Sequence, residues 1–119
     1  MGLDQYAYVK SADENAEPAF VWRKHAKLQT FMENLWADAT GRSATDLNCN
    51  ELVLSVDDID RLDELLKDEN LPHSEGGFFF GHQFQDESAS EYASYDAEFC
   101  SWARDQIAAG ETVIYSCWW

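Results

Sequence analysis

The stretch Trp22-Arg23-Lys24-His25 gathers side chains that could recognise an anion. Arg23 offers a planar fork of donors, Lys24 a point charge, and His25 a ring that can donate or accept. Only eight of the 119 residues are Lys or Arg, yet Arg23, Lys24 and Lys27 fall within five positions. At a junction between a strand and a helix N terminus, these groups would form a phosphate pocket with help from the helix dipole. Alternatively, the cations pair with the chain's own carboxylates.

Two further groups could contact a ligand. Asn48 and Asn50 lie in a predicted loop, where their amides could recognise a base edge or a sugar, or could close an Asx turn. A terminal Trp pair is costly to expose, so the rings near the C terminus fill the core, form a subunit interface or stack on a ligand. The predicted ligand-binding residues are Trp22, Arg23, Lys24, His25, Asn48, Asn50, Tyr115 and Trp118.

Signatures of known enzyme classes are missing from the sequence. It contains no GxxxxGK[ST], GxGxxG, GxSxG or HExxH motif. Carboxylate pairs such as Asp57-Asp58 lie on the polar side of a predicted helix, where solvation leaves them unsuited to acid–base catalysis. Cys49, Cys100 and Cys117 show no CxxC spacing, so we expect reduced, mostly buried thiols. We predict no catalytic residue, metal ligand or cofactor.

Composition and charge narrow the classes of protein. Hydrophobic residues make up 45% and aromatic residues 14%, too much for a disordered acidic tail. The net charge of −15 repels phosphate and anionic lipid, which argues against direct binding to nucleic acid or membranes. No apolar run approaches the ~20 residues of a membrane span, and the first residues lack signal-peptide features. We expect a cytoplasmic protein with one domain over residues 1–119.

Hydrophobic periodicity predicts alternating strands and helices. The predicted strands cover 3–9, 51–55, Phe78–Phe80 and 112–118, and a short apolar run over 19–22 is either a further strand or the start of the next helix. The first predicted helix covers 25–38. A second helix, capped by Ser55 or Asp57, follows the strand over 51–55, and a third begins at a Ser88–Glu91 capping box after Phe78–Phe80. We expect an α+β or α/β domain, with about three helices on one mixed sheet of four to five strands and some parallel pairing.

Two apolar stripes should pack on that sheet. The first helix carries its stripe at Leu28, Phe31, Met32, Leu35 and Trp36, and the third helix carries its stripe at Tyr92, Tyr95, Phe99, Trp102 and Gln106 or Ile107. Gly110 occupies the position expected for a left-handed helix C-cap.

Several segments together resemble a small family of phage and bacterial proteins. They are Met1-Gly2-Leu3-Asp4-Gln5-Tyr6-Ala7-Tyr8, Trp22-Arg23-Lys24-His25, Asn48-Cys49, Leu71-Pro72-His73, Gly77-Phe78-Phe79-Phe80-Gly81 and Ser116-Cys117-Trp118-Trp119. Members often carry an automatic phosphoglycerate-kinase label, but that kinase is a two-domain enzyme several times longer. Nothing in this sequence positions a nucleotide phosphate and magnesium for in-line transfer. The resemblance implies a phage-type accessory gene and assigns no activity to individual residues.

Three functions are compatible with these observations. The first is a binding protein, of a kind used against host defence, that sequesters a small phosphorylated or nucleotide-like molecule among Arg, Lys, His and aromatic side chains. The second is an acidic inhibitor of a basic host protein, in the extreme a nucleic-acid mimic. The third is a small hydrolase or transferase, which lacks a recognisable nucleophile–base pair. The terminal Trp pair also predicts a homo-oligomer.

Overall fold

Residues 2–10, 18–74 and 84–119 are described in the computed structural model of this protein. The described elements are β1 (Asp4–Val9), β2 (Phe20–Arg23), α1 (Ala26–Thr40), a short 3-10 turn (Ala44–Leu47), β3 (Glu51–Leu54), α2 (Val56–Lys67), α3 (Gln85–Ala108) and β4 (Val113–Trp118). The predicted strand at Phe78–Phe80 lies outside the described residues.

The four strands form one sheet in the order β2-β1-β4-β3, with antiparallel pairing between all neighbours. The expected α+β class is confirmed, but the expected mixed sheet is wrong; a single parallel bridge joins Asn48 to Cys117 outside the strands. Helix α1 joins β2 to β3 across the full width of the sheet, and these two strands also run in opposite directions. Alternation of strands and helices therefore did not produce the parallel pairing that the sequence pattern suggested.

Burial alternates along the strands and defines two faces of the sheet. The inner face packs against the helices through buried side chains, among them Ala7, Phe20, Trp22, Leu52 and Tyr115. The opposite side, here called the outer sheet face, carries Asp4, Tyr6, Tyr8, Lys10, Val21, Arg23, Glu51, Val53, Ile114, Ser116 and Trp118. The described elements therefore form a sheet layer and a helix layer, and on the outer sheet face Val21, Val53 and Trp118 are exposed whereas Ile114 is buried.

Helix α1 matches its predicted range within two residues. The Leu71-Pro72 pair predicts a later end for α2 than the structure shows, since α2 ends at Lys67 and Glu69 already lies in the left-handed region at φ 52°. The predicted stripe of α1 is buried, and Gly41 ends the helix in the left-handed region at φ 70°. Ser55 caps α2 in a reciprocal capping box with Asp58. Acidic residues in the first turn of α2 also stabilise the helix, because negative charge interacts favourably with the positive end of the helix dipole.

Helix α3 begins earlier than its sequence suggests. Its first residue is Gln85, and the predicted capping box at Ser88 and Glu91 is wrong because both residues lie inside the helix. The Gln85 amide accepts from Ser74 N at 2.7 Å and donates to Ser74 O at 3.2 Å. This tertiary pairing fixes the start of α3. Gly110 takes the expected left-handed conformation just beyond the helix.

Candidate functional site

Two residues of the predicted anion pocket lie in the core. Trp22 and His25 are almost completely buried, and both bind Asp96 of α3. Trp22 Nε1 donates to Asp96 Oδ1 at 2.7 Å, and His25 Nε2 lies 2.7 Å from Asp96 Oδ2. Tyr92 stacks on the His25 ring with centroids 5.1 Å apart. This buried triad joins β2, the start of α1 and the middle of α3.

The His25–Asp96 pair has the geometry that orients a histidine in many active sites. His25 Nε2 and Asp96 Oδ2 share one hydrogen bond, and the histidine tautomer determines which of them donates. The other ring nitrogen, Nδ1, is buried and finds no hydrogen-bond partner among the described residues. Neither side chain of the pair has any solvent-exposed area, so a substrate cannot reach the pair in this conformation. Within the described residues, the pair acts as a structural link between layers.

A second buried polar chain continues from this link. Gln5 accepts from His25 N and donates to Tyr115, whose hydroxyl donates to Gln29. Gln29 in turn donates to Glu33 at 3.2 Å. Burial raises the pKa of Tyr115 well above its usual value and also raises that of Glu33, partly offset by the Gln29 hydrogen bond. Tyr115, a predicted ligand residue, is a core residue of this chain of hydrogen bonds.

Arg23 and Lys24 point away from that core. The Arg23 side chain is exposed on the outer sheet face, 4.0 Å from Asp4 Oδ1. Lys24 lies in the left-handed region at φ 54°, where the chain turns from β2 into α1, and its amide donates to Leu3 O. The structure therefore separates the four adjacent candidates into two buried residues and two at the surface.

The predicted Asn residues tie the C terminus to the loop before β3. Asn48 Oδ1 accepts from Trp119 N at 3.1 Å, and its amide nitrogen lies 3.5 Å from Trp119 O. Asn50 donates to Asp46 O at 2.5 Å and closes the turn at the end of the 3-10 segment. Trp119 packs partly against the core, whereas Trp118 is 63% exposed. The terminal Trp pair is thus divided between core and surface.

The outer sheet face combines apolar side chains with balanced charge. Val21 and Val53 are 48% and 59% exposed, and Trp118 lies in register with Asp4, which pairs on its other side with Arg23. Tyr8 donates to Glu51 at 2.7 Å, and Lys10 lies 3.6 Å from the same carboxyl group. Burial, helped by the Glu51 hydrogen bond, raises the pKa of Tyr8 to about 12.

The surface formed by α2 and α3 is rich in carboxylates, among which Arg61, Lys67 and Arg104 also lie. We call it the acidic helical side; it comprises Asp57, Asp58, Asp60, Asp63, Glu64, Asp68 and Glu69 on and just after α2, with Asp86, Glu87, Glu91, Glu98 and Asp105 on α3. Arg104 bridges the two helices by binding Asp60 and Asp63. Burial raises the pKa of Asp63, but hydrogen bonds from Arg104 and Lys67 outweigh it and lower the pKa overall.

A cavity of about 280 Å³ opens where α1, the end of α2 and the start of α3 meet. Lys27 lines it and binds Asp86 at 2.7 Å, with 17% of the Lys27 side chain exposed against 83% for Asp86. The hydrogen bond from Lys27 lowers the pKa of Asp86. Glu69 contributes a second carboxylate, and the remaining walls are small or apolar, including Leu65, Leu66 and Leu71.

The cysteines are free thiols. Cys100 and Cys117 are buried, and burial raises the pKa of each to about 12. Cys49 is exposed, so the expectation of mostly buried thiols holds for two of the three. Its position at φ 65° in the loop before β3 turns the side chain outward. Among residues 2–10, 18–74 and 84–119, no three His, Cys, Asp or Glu side chains are grouped to hold a metal ion.

Comparison with family models, curated proteins and solved structures gave no match. None of the helices in the described part of the chain combines the length and apolar character that crossing a bilayer requires. What the fold itself defines is a two-layer α+β protein with chemically different sides.

Sequence reasoning missed Asp96, the centre of the buried triad. Its position carries a signal, because it lies four residues after Tyr92 and three before Phe99, inside the apolar stripe of α3. A carboxylate at a stripe position needs buried donors, and Trp22 and His25 supply them. Their identity could not be read from spacing, because more than 70 residues separate them from Asp96.

Proposed function

We propose that this chain is a non-catalytic binding protein whose acidic helical side docks on a basic protein. One observation carries the proposal: within the described residues, carboxylates outnumber basic side chains on α2 and α3 far more than on the outer sheet face. The outer sheet face balances Asp4 and Glu51 with Arg23 and Lys10, whereas α2 and α3 present a dense set of carboxylates.

Such an arrangement affects both the orientation and the association rate of a basic partner. A one-sided negative field orients an approaching basic surface and raises the association rate, an effect that salt screens over about 10 Å at 0.1 M. Within the described residues, ion pairs engage Asp60, Asp63 and Asp86 on this side. Two N–H groups of Arg104 on α3 donate to one oxygen of Asp60 on α2, and this contact links the two helices that carry the carboxylates.

The resemblance to a phage accessory family favours a basic host protein as the partner. A protein that normally binds nucleic acid presents such a surface, and the carboxylates would then occupy the place of phosphates. Competition for that surface would inhibit the host protein in the cytoplasm. This proposal corresponds to the inhibitor function that the sequence left open, and it assigns the binding surface to the acidic helical side.

A hexa-arginine peptide tests the proposal through matched charge changes on the two sides. Glu64→Gln with Asp68→Asn removes two exposed carboxylates of the acidic helical side, and Asp4→Asn with Glu51→Gln removes two from the outer sheet face. We expect the first pair to weaken binding about threefold to tenfold at low salt and the second less than about twofold. Equal effects, or no binding by the wild-type chain, would refute the proposal.

A second candidate function uses the outer sheet face. Arg23, Asp4 and Trp118 lie in register on three adjacent strands, which are spaced about 4.8 Å apart. A nucleotide laid across this row would stack its base on Trp118, bind its ribose hydroxyls to Asp4 and place its phosphate near Arg23. The row retains two of the eight predicted ligand residues and preserves the proposal of a nucleotide-like ligand.

Titration with a nucleoside monophosphate, followed by Trp fluorescence, separates the two candidates. The double substitution Arg23→Ala and Lys24→Ala should abolish the signal without lowering the melting temperature, whereas Lys67→Ala, a control on the acidic helical side, should not change it. A folded double variant that binds as well as the wild type would remove this candidate. Loss of folding would make the two cations part of a structural ion-pair network instead.

We also propose that the chain forms a homo-oligomer through the outer sheet face. Stacking this face against a second copy would cover Val21, Val53 and Trp118 and would place the two acidic helical sides outward. That arrangement keeps the repulsive charges of the two copies far apart. Each copy would contribute the same patch, as a two-fold dimer requires.

A further inference from the structure

We propose that the cavity between α1, α2 and α3 receives one arginine side chain of the basic partner. The inference rests on the proposed function and gives it an anchor point. Interfaces depend on a few side chains that enter pockets, and arginine is among the commonest of these anchors. The occupant is therefore a guanidinium group on an apolar stem.

The size of the cavity favours a single side chain. Its volume of about 280 Å³ lies just below the range of roughly 300–1,000 Å³ found for small-molecule sites. Leu65, Leu66 and Leu71 give it an apolar lining suited to the methylene stem of an arginine, which prefers apolar contact while its charged end remains hydrated.

The charges at the cavity favour a cation. Glu69 and Asp86 supply two carboxylates against the single ammonium of Lys27. Lys27 occupies one oxygen of Asp86 from the protein interior, and the Asp86 side chain is 83% exposed, so an incoming group can reach it. A planar guanidinium presents five N–H donors and can bind more than one carboxylate at once.

Glu69 occupies its position at a conformational cost. It follows α2 in the left-handed region at φ 52°, a position that glycine adopts with less strain. A glutamate here is unfavourable for the backbone, but it brings a carboxylate to the rim of the cavity. Glu69→Gly therefore separates the two contributions, since it should leave the melting temperature unchanged or raised while weakening arginine binding.

The test compares the cavity with other parts of the acidic helical side, using the full-length chain and a labelled hexa-arginine peptide. Glu69→Gln and Asp86→Asn should each weaken binding about fivefold to tenfold. Glu98→Gln, a matched loss of one charge on α3 outside the cavity, should weaken it less than twofold. Lys27→Met should strengthen binding, because it removes the competing ammonium.

A neutral change tests the cavity itself. Ala89→Leu fills the space without altering charge and should weaken hexa-arginine binding as much as Glu69→Gln does. Binding of N-acetyl-arginine amide, observed by NMR, should shift the methyl signals of Leu65 and Leu66. Hexa-lysine should bind more weakly than hexa-arginine, because an ammonium lacks the fork that spans two carboxylates.

The opposite pattern would overturn the inference. If Lys27→Met abolishes binding of a small carboxylate such as benzoate while Glu69→Gln strengthens it, the cavity is an anion site. If Glu69→Gln and Glu98→Gln weaken hexa-arginine binding equally, the acidic helical side binds without an anchor, and the proposed function survives alone. If wild-type protein does not bind hexa-arginine, the proposed function fails together with the anchor.

Discussion

The outer sheet face and the acidic helical side differ in how their charged residues are paired. On the sheet, Asp4 lies near Arg23 and Glu51 lies near Lys10, so the charges balance locally. On the helices, Arg104 and Lys67 engage carboxylates that hold the fold together, and other carboxylates of the set surround them. Charge on the sheet is compensated, whereas charge on the helices dominates its surroundings.

Net charge alone is therefore a poor guide to where this protein binds. A value of −15 suggests a uniformly repulsive surface, yet the open sheet face remains suited to apolar contact. The two sides can serve different partners because a common core keeps them apart. That core is itself joined by buried polar contacts between β2, α1 and α3.

The largest expected effect comes from breaking that link. Asp96→Ala would leave the Trp22 N–H and the His25 ring without their buried hydrogen-bond partner, so we expect a loss of about 3–5 kcal/mol in the free energy of unfolding. Urea denaturation measures the loss. Glu98→Ala, an exposed change on the same helix, should stay within about 0.5 kcal/mol. A similar stability for both variants would show that the triad does not join the layers.

The next effect concerns the apolar stripe of α1. Leu35 is 6% exposed, and Leu35→Ala removes buried methyl groups and leaves a cavity. We expect a cost of about 2–5 kcal/mol, read from the same denaturation curves. Val53→Ala on the outer sheet face, where the side chain is 59% exposed, provides the contrast and should cost far less. Equal costs would mean that the sheet face is covered as thoroughly as the core.

Local patterns predicted the helices well because each helix buries one stripe of its own sequence. Leu28, Phe31 and Leu35 repeat at helical spacing, and this repeat needs no knowledge of distant residues. The C-terminal glycine signal at Gly110 was equally local. Strand pairing is not local, because the pairing of β1 with β4 joins opposite ends of the chain and no short-range pattern records it.

The candidate site was harder to predict because neighbours in sequence diverge on a strand. Trp22 and Arg23 are adjacent, but successive side chains of β2 point to opposite faces, one into the core and one to solvent. A run of four chemically suitable residues therefore could not line one pocket. Lys27, two positions beyond His25 on α1, lines a different cavity, to which none of these four residues contributes.

A smaller effect tests whether the outer sheet face associates with itself. Trp118→Ser removes an exposed ring at one end of the face, and we expect the dissociation constant of the homo-oligomer to rise about tenfold. Sedimentation velocity over a range of protein concentrations measures it. Stability should change little, since Trp118 is 63% exposed, whereas removing Trp119 would also lose its contacts with Asn48. A wild-type chain that stays monomeric at high concentration would contradict the proposed assembly.

The smallest effect concerns the balanced charges of the outer sheet face. Tyr8 has a pKa of about 12, raised first by burial and then by its hydrogen bond to Glu51. A phenol with a raised pKa favours the folded state at pH below its unfolded value near 10, and that contribution is lost as the pH rises from about 10 towards 12. Glu51→Gln should lower the Tyr8 pKa yet leave it above 10, because burial is the larger cause. Absorbance titration at 295 nm, with Tyr8→Phe to assign the signal, measures the change. A Tyr8 pKa near 10 in the Glu51→Gln variant would show that the carboxylate, rather than burial, sets the ionisation on this face.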